Sequence, residues 1–269
     1  MRNRYISMPL LAAVLMILPA AARAVDIGTL HCNDASGVPL MMNTVVTVQG
    51  VVTINQPTGT NNRLYIQDAT GGINVFGTPQ DCAVAVGDMV EANGTIIHFN
   101  GLTEVSGSAT LPLTLTILSS GNPLPAPLTK TIAEFNATYQ GDNCEPDESK
   151  RVKVNGLIRT SAGGMPAPGA LFAANTNYRL TSSGADSTTN FLTMRVVQSS
   201  NACGVTNSLV GQPIPVACAS EVIGILSQFD GTPPHDSGYQ LLPGDAASVA
   251  CKTVAVQPVA WSAIKRVYR

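Results

Sequence analysis

Charge is scarce in this chain. Only 12% of its 269 residues are Asp, Glu, Lys or Arg, too few for a coiled coil or a disordered, highly charged segment. Aromatics make up 5%, with a single Trp. Helical periodicity is almost missing. Val, Thr, Ile, Gly, Pro and Asn are plentiful instead, a composition that favours strands and turns. Beyond the first 24 residues no apolar run is long enough to span a bilayer, which takes about 20 residues. None of the six cysteines is spaced as CxxC, so a structural zinc site is not expected. The chain also lacks GxSxG, HExxH, a P-loop and a dinucleotide fingerprint. Nothing resembles a calcium loop; Asp81, Asp88, Asp230, Asp236 and Asp245 read as scattered turn acids. No catalytic residue, metal or cofactor is therefore expected, and the chain does not read as an enzyme.

What is present begins with an export leader. Arg2 and Arg4 precede a short apolar run from Met8 to Ala21, and Ala22-Arg23-Ala24 is a small-residue cleavage site. No Cys follows it, so a lipid anchor is not expected, and a cleaved chain has no membrane span. Removing Arg2, Arg4 and Arg23 with the leader leaves 12 basic against 17 acidic residues, a net charge of −5. That balance counts against tight tracking of polyphosphate, though a local basic face is compatible with it. Six cysteines after a leader suggest three disulfides in a periplasmic or secreted protein. Pairing within local sets gives Cys32–Cys82, Cys144–Cys251 and Cys203–Cys218.

Thr44 to Ile54 reads as a strand with Gly50 inside it, and an interior strand glycine marks a bulge or sharp bend. In Arg63 to Asp68, Leu64 and Ile66 share one face, with Arg63, Tyr65 and Gln67 on the other. Gly71-Gly72 turns the chain, and Ile73 to Phe76 returns with Ile73 and Val75 inward. Asn100-Gly101 marks a second hairpin. Asn122 to Pro127 is a Pro-rich stretch, Thr131 a candidate N-cap with Glu134 three residues on, and Gln140 to Lys150 a polar, acidic surface segment.

The pattern then repeats. Val-Thr-Val-Gln-Gly-Val at 46–51 matches Val-Lys-Val-Asn-Gly-Leu at 152–157. Gly94 answers to Gly224, and Phe99-Asn100-Gly101 to Phe229-Asp230-Gly231. A glycine-bent strand, a hairpin, a connector and another hairpin follow the order of a five-stranded OB barrel; a β-sandwich is the competing architecture. The expected fold is all-β: two tandem five-stranded OB-type barrels with a short connecting helix and a short C-terminal helical tail. The divisions are a leader at 1–24, a first barrel at 25–120, a linker at 121–150, a second barrel at 151–250 and a tail at 251–269.

Val48-Gln49-Gly50-Val51-Val52-Thr53, Tyr65-Ile66-Gln67-Asp68, Val86-Gly87-Asp88, Gly94 and Phe99-Asn100-Gly101 together resemble the OB-fold domains of exported bacterial proteins, often found beside secreted nuclease domains. Residues 151–248 resemble a more divergent copy, closing on Gly238 to Pro243. The resemblance implies the fold and says little about the ligand, because OB barrels carry many. This chain departs from the nuclease arrangement: both OB units leave no room for a catalytic domain.

OB barrels typically offer strands 2 and 3 to ligands. The outward residues there are Arg63, Tyr65, Gln67, Asn74 and Phe76, and in the second unit Arg179, Thr181, Phe191, Thr193 and Arg195. Of the second set, Arg179, Phe191 and Arg195 are the ligand-binding candidates. Aromatics, arginines and amides can stack on rings and hydrogen-bond to bases or sugars. The bland alternative is that Tyr65 and Phe76 cover an interface between units, and a one-residue slip of register would reverse both faces. His31, His98 and His235 lie in distant segments and read as solvated surface residues. Trp261, Ile264 and Tyr268 fall on one helical face of a basic tail, fit either for docking on a barrel or for a protein partner. This tail is similar to W-x-x-[IV]-K-x-x-Y-R endings of exported proteins. The function expected is an exported, non-catalytic binding or adaptor protein whose ligand is single-stranded nucleic acid or oligosaccharide. The alternative is an envelope structural or assembly protein acting through protein contacts and its tail.

Overall fold

The computed structural model describes residues 24–59, 61–77, 82–138, 144–182, 190–201, 203–216 and 218–252. Residues 1–23 of the leader, and Trp261, Ile264 and Tyr268 of the tail, lie outside them. Among the described residues the chain is nearly all β, and no helix is long and apolar enough to cross a membrane.

The first sheet is built from β1 (Val45–Thr58), β2 (Asn61–Gln67), β3 (Gly72–Phe76), β4 (Met89–Phe99) and β5 (Leu102–Ser106). They pair in the order β1-β2-β3-β5-β4, and β4 returns to β1, so five strands close into a barrel. All pairs are antiparallel except β3 with β5. A sixth strand, β6 (Thr114–Ser119), adds to β4. Leu64, Ile66, Ile73 and Val75 point inward and are buried with Val48, Val52, Val90 and Ile96, matching the alternation in the sequence.

The second sheet contains β7 (Leu128–Lys130), β8 (Arg151–Arg159), β9 (Thr176–Thr181), β10 (Phe191–Val196), β11 (Ser220–Gln228), β12 (Tyr239–Pro243) and β13 (Val249–Cys251). Its pairings run β8-β9-β10-β12-β11, with β10 and β12 parallel and β11 pairing back to β8. The helix α1 (Ile132–Asn136) follows β7. Its N-cap is Thr131, which forms the expected capping box with Glu134.

Gly50 and Gly156 have a shared task. β1 pairs with β4 through residues 45–51 and with β2 from 51 onward. Gly50 sits at that change of partner, and a Cβ there would come within 2.9 Å of the Gln67 backbone nitrogen. β8 changes from β11 to β9 after Gly156, where a Cβ would meet the Thr181 carbonyl oxygen at 2.8 Å. A side chain at either position would hold the crossing strands apart.

Each sheet encloses its own apolar cluster. A third, small cluster joins them: Ile54 and Tyr65 from the first sheet meet Ile225 and Leu242 from the second. The equivalent hairpin tips also touch. The Asp230 amide donates to the Asn100 carbonyl at 2.6 Å, and Phe99 and Phe229 stack edge to face with centroids 6.2 Å apart.

The disulfides differ from the local pairing expected. They are Cys32–Cys144, Cys82–Cys203 and Cys218–Cys251. Sequence proximity misled because the fold lays the amino-terminal segment along the connector, pairing Cys32 with Cys144 as an isolated bridge. It also sets the loop before β4 against the loop after β10. Two of the three cross-links therefore tie distant segments, and Cys82–Cys203 joins one sheet to the other. That bond spans 121 residues. Its loss in a Cys82→Ser/Cys203→Ser protein is expected to lower the unfolding free energy by about 2–4 kcal/mol. Cys218–Cys251 spans 33 residues, so removing it is expected to cost less. Denaturant titration of the oxidised variants checks this; a midpoint unchanged by the first double substitution contradicts it.

Candidate ligand-binding site

The outer wall of the first barrel is not open. Tyr65 points outward as its alternation requires, yet it is 0% exposed. Its ring packs in the joining cluster, and its hydroxyl lies 3.0 Å from the Ser227 hydroxyl of β11. Gln67 is buried and its side-chain oxygen accepts from the Arg151 amide at 3.0 Å. Asn74 is buried and donates to the Leu64 carbonyl. Tyr65 and Gln67, expected on a ligand face, instead meet the second sheet, and Asn74 is buried within the first. Register was correctly read; what covers the face was not.

Arg63 and Phe76 stand at the edge of this contact, half-buried. The Arg63 guanidinium lies 5.8 Å from the Phe76 ring centroid and 3.9 Å from the Glu104 carboxylate. Glu104 is itself buried, and desolvation pushes its carboxyl up to about 7, against the pull of Arg63.

The corresponding wall of the second sheet has a different fate. The second sheet docks through β11 and β12, which carry Ile225, Ser227 and Leu242. Its β9–β10 face is left clear of the joint. Arg179, Phe191, Thr193 and Arg195 are half-buried there, on the side opposite the inward Tyr178, Leu180, Leu192 and Met194. Arg179 lies over the Phe191 ring at 4.1 Å from its centroid, within cation–π range. Arg195 donates to the Asn175 carbonyl at 2.9 Å and the Asn177 side-chain oxygen at 3.2 Å. Thr181, placed on this face by the sequence, is buried and bonds the Leu157 carbonyl. Same-face neighbours along a strand are about 7 Å apart, so Phe191 to Arg195 forms a platform of roughly 13 Å.

At the Arg195 end the platform runs into a cleft of about 280 Å³ between the sheets. Arg195, Asn177, Gln198 and Gln240 line it from one side, Arg63 and Thr58 from the other, with Phe229 at its edge. Phe229 is 59% exposed. The cleft is fixed by paired bonds between the Gln198 side chain and the Gly59 backbone, at 3.0 and 2.9 Å. Phe229, Gln198 and Gln240 were missed by sequence reasoning. Gln240 was legible as the outward residue of an alternating strand; Phe229 was read only as a repeat marker.

His31, His235, Glu145 and Glu148, expected at the surface, are buried, and His98 is half-buried. His31 is 1% exposed. Its Nε2 faces the Gly72 carbonyl at 2.6 Å, and its Nδ1 faces the Glu148 carboxylate at 2.7 Å. A carbonyl can only accept, so Nε2 carries a proton, and the contact of Nδ1 with the Glu148 carboxylate favours a second one there. Burial opposes this charge, but the Glu148 contact outweighs it and the His31 pKa is raised. Glu148 also accepts from the Thr103 amide at 3.1 Å. Glu145 accepts from Asn33 at 3.0 Å and from the Tyr239 hydroxyl. Its burial, with Glu148 nearby, pushes its carboxyl up to about 8. The segment at 145–149 is thus a buried polar seam, not the acidic surface read from its composition. His98 and His235 are brought together, with ring centroids 4.6 Å apart, and His98 is held below its ordinary value by burial and by His235.

No protein-family model matches the chain, and no curated protein matches it. Among solved structures it is similar to asparaginyl-tRNA synthetase from Pyrococcus horikoshii, at 19% identity over 32% of this chain and 22% of that one, TM-score 0.26. It is similar to the hypothetical protein ygiW from E. coli, at 22% identity over 29% of this chain and 80% of that one, TM-score 0.22. It is similar to a murine DNA binding protein bound with double-stranded DNA, at 12% identity over 77% of this chain and 97% of that one, TM-score 0.31. The chain spans about a quarter of the synthetase's length. Likenesses this distant assign no family.

The seam makes stability depend on pH in a definite direction. His31, Glu104 and Glu145 all have folded pKa values above their ordinary 6.5, 4.5 and 4.5. The folded state then holds protons that the unfolded state releases. Their contribution is complete below the ordinary values and is lost as pH rises through about 7 for Glu104 and about 8 for Glu145. Asp68 and Asp147 are lowered from 3.8, by backbone hydrogen bonds at Asp68 and by Lys130 at Asp147, although burial opposes both shifts; their contribution is lost in stronger acid. The melting temperature of the oxidised protein is expected to peak between about pH 4 and 6 and to fall toward pH 8.5, with a shallower fall in Glu145→Gln. A melting temperature that climbs steadily from pH 5 to 8.5 contradicts the assignment.

Proposed function

We propose that the protein is an exported, non-catalytic binding module of two tandem OB-type barrels, and that it binds a short stretch of single-stranded nucleic acid. The second sheet follows the strand order of the first barrel, including the parallel pair, and each bends its first strand at an equivalent glycine. The leader pattern at 1–24 and three disulfides after it support an oxidising compartment.

The observation that carries the ligand is the convergence of Arg195 and Arg63, from different sheets, on one cleft edged by Phe229. Guanidinium groups match phosphate oxygens in pairs. Phe229 and the Arg179–Phe191 stack offer flat surfaces to bases, and base–aromatic stacking contributes about 1–3 kcal/mol per base. Gln198, Gln240 and Asn177 supply donors and acceptors between them. A platform of about 13 Å followed by a cleft suits a strand of a few nucleotides rather than a duplex. With a net charge of −5 after the leader, affinity arises from this local patch and weakens steeply with salt.

Fluorescence anisotropy with a labelled single-stranded 12-mer at low salt tests the reading, with a chitin-type hexasaccharide as comparison. The unmodified protein is expected to bind the oligonucleotide and not the sugar. Arg63→Ala and Arg195→Ala are each expected to weaken binding about tenfold, since a charge-assisted contact contributes about 1.5–3 kcal/mol. Each is expected to reduce the slope of log K against log salt by about 0.7. Sugar binding in place of oligonucleotide, or variants that bind as the parent does, would overturn the proposal.

A further inference from the structure

We propose a second ligand site, for a small apolar monocarboxylate, in the pocket where β8 ends against Pro215, Val216, Cys218 and Ala219. Its key group is Arg159. The residue is 9% exposed, and its buried Nε has no hydrogen-bond partner. Among the described residues no carboxylate pairs with the Arg159 guanidinium and no hydrogen bond satisfies it. A buried donor without an acceptor is unfavourable, and native structures normally satisfy such a group or hold it for a ligand. Arg159 stands opposite Arg179 in the β8–β9 pairing, and the Arg179 guanidinium is turned onto the Phe191 ring.

The rest of the pocket is apolar. Leu157, Met165, Pro215 and Val216 form its walls around a volume of about 280 Å³. Met165 is 62% exposed, and its flexible thioether can fold over a bound chain. One wall includes Cys218, whose disulfide to Cys251 fastens that segment to the sheet. The combination of one unpaired guanidinium and apolar walls selects an anion with an apolar body. A carboxylate meets a guanidinium through two parallel hydrogen bonds, and the body takes the place of water against Leu157 and Val216. At about 30 Å³ for each water-sized group, the pocket holds a ligand of roughly nine or ten non-hydrogen atoms, the size of an eight-carbon acid. A phosphodiester strand presents the wrong polarity to these walls. The pocket shares no lining residue with the cleft of Arg63 and Arg195, so the inference is independent of the nucleic-acid reading.

Isothermal titration of the oxidised full chain with octanoate and with octanamide, which is nearly the same shape but uncharged, tests the site. Octanoate is expected to bind, and octanamide to bind at least tenfold more weakly. Arg159→Met is expected to remove the preference for the acid, while Arg195→Ala leaves it intact. The comparison of the two ligands on the unmodified protein requires no variant, so it decides the matter even if Arg159→Met fails to fold. Absence of octanoate binding at millimolar concentration, equal binding of acid and amide, or an Arg159→Met protein that still prefers the acid each overturns the site.

Discussion

The contact between the outer wall of the first barrel and the β11–β12 wall of the second sheet governs everything else in this molecule. Tyr65 lies at its centre. A fully buried aromatic of this size removes a large apolar area from water, and here its hydroxyl also finds a partner in Ser227. Around it the bonds are polar and specific: Arg151 amide to Gln67, and Gln56 side chain to the Pro243 carbonyl at 2.7 Å. A greasy patch alone would let the first barrel and the second sheet slide or rotate. Hydrogen bonds to fixed backbone groups on both sides allow one orientation.

The amino-terminal segment and the connector act as a clasp on that joint. Cys32–Cys144 binds the two covalently, and the Glu145 amide donates to the His31 carbonyl beside it. From this strip Glu148 reaches the Thr103 amide of the first barrel. The Ser149 amide reaches the Leu226 carbonyl of the second sheet. A chain so poor in charge nonetheless buries His31, Glu145 and Glu148 here. Such groups are poor sources of net stability, but each has an assigned partner, and mispositioning any of them leaves a buried polar group unsatisfied. The clasp thus penalises every arrangement of the two sheets but one.

Much of the local structure was legible in the sequence because it follows from period and turn chemistry. Alternation placed Leu64 and Ile66 inward and Tyr65 outward; Asn100-Gly101 marked a hairpin; Thr131 and Glu134 marked a capped helix. Gly50 and Gly156 announced the crossing of strands. What escaped was every feature set by contacts between distant segments. Composition cannot tell an acid facing water from one facing a buried histidine, so Glu145 and Glu148 read as surface. Alternation assigns a side to Tyr65 and is silent on what lies against that side. The cysteines were paired by nearness along the chain, a rule that fails once the fold carries residue 82 to residue 203. The equivalence of Phe99-Asn100-Gly101 and Phe229-Asp230-Gly231 was visible, but not that the two tips meet.

The joint also decides which of two similar faces is open to the proposed ligand. If the second sheet docked through its own β9–β10 wall, both faces would be consumed. Docking through β11–β12 sacrifices the first face and spares the second, and it brings Arg63 from the sacrificed wall to the rim of the spared one. The cleft therefore exists only in the docked pair. Were the two sheets undocked, Arg63 and Arg195 would move independently, and a ligand would have to lose the entropy of bringing them together. Held by Gln198 against the Gly59 backbone and by the Cys82–Cys203 bond, they are positioned beforehand, and a contact made by preorganised groups retains more of its free energy for binding. In the proposed site the first barrel is the fixed support that aims one arginine into a cleft the second sheet mostly builds.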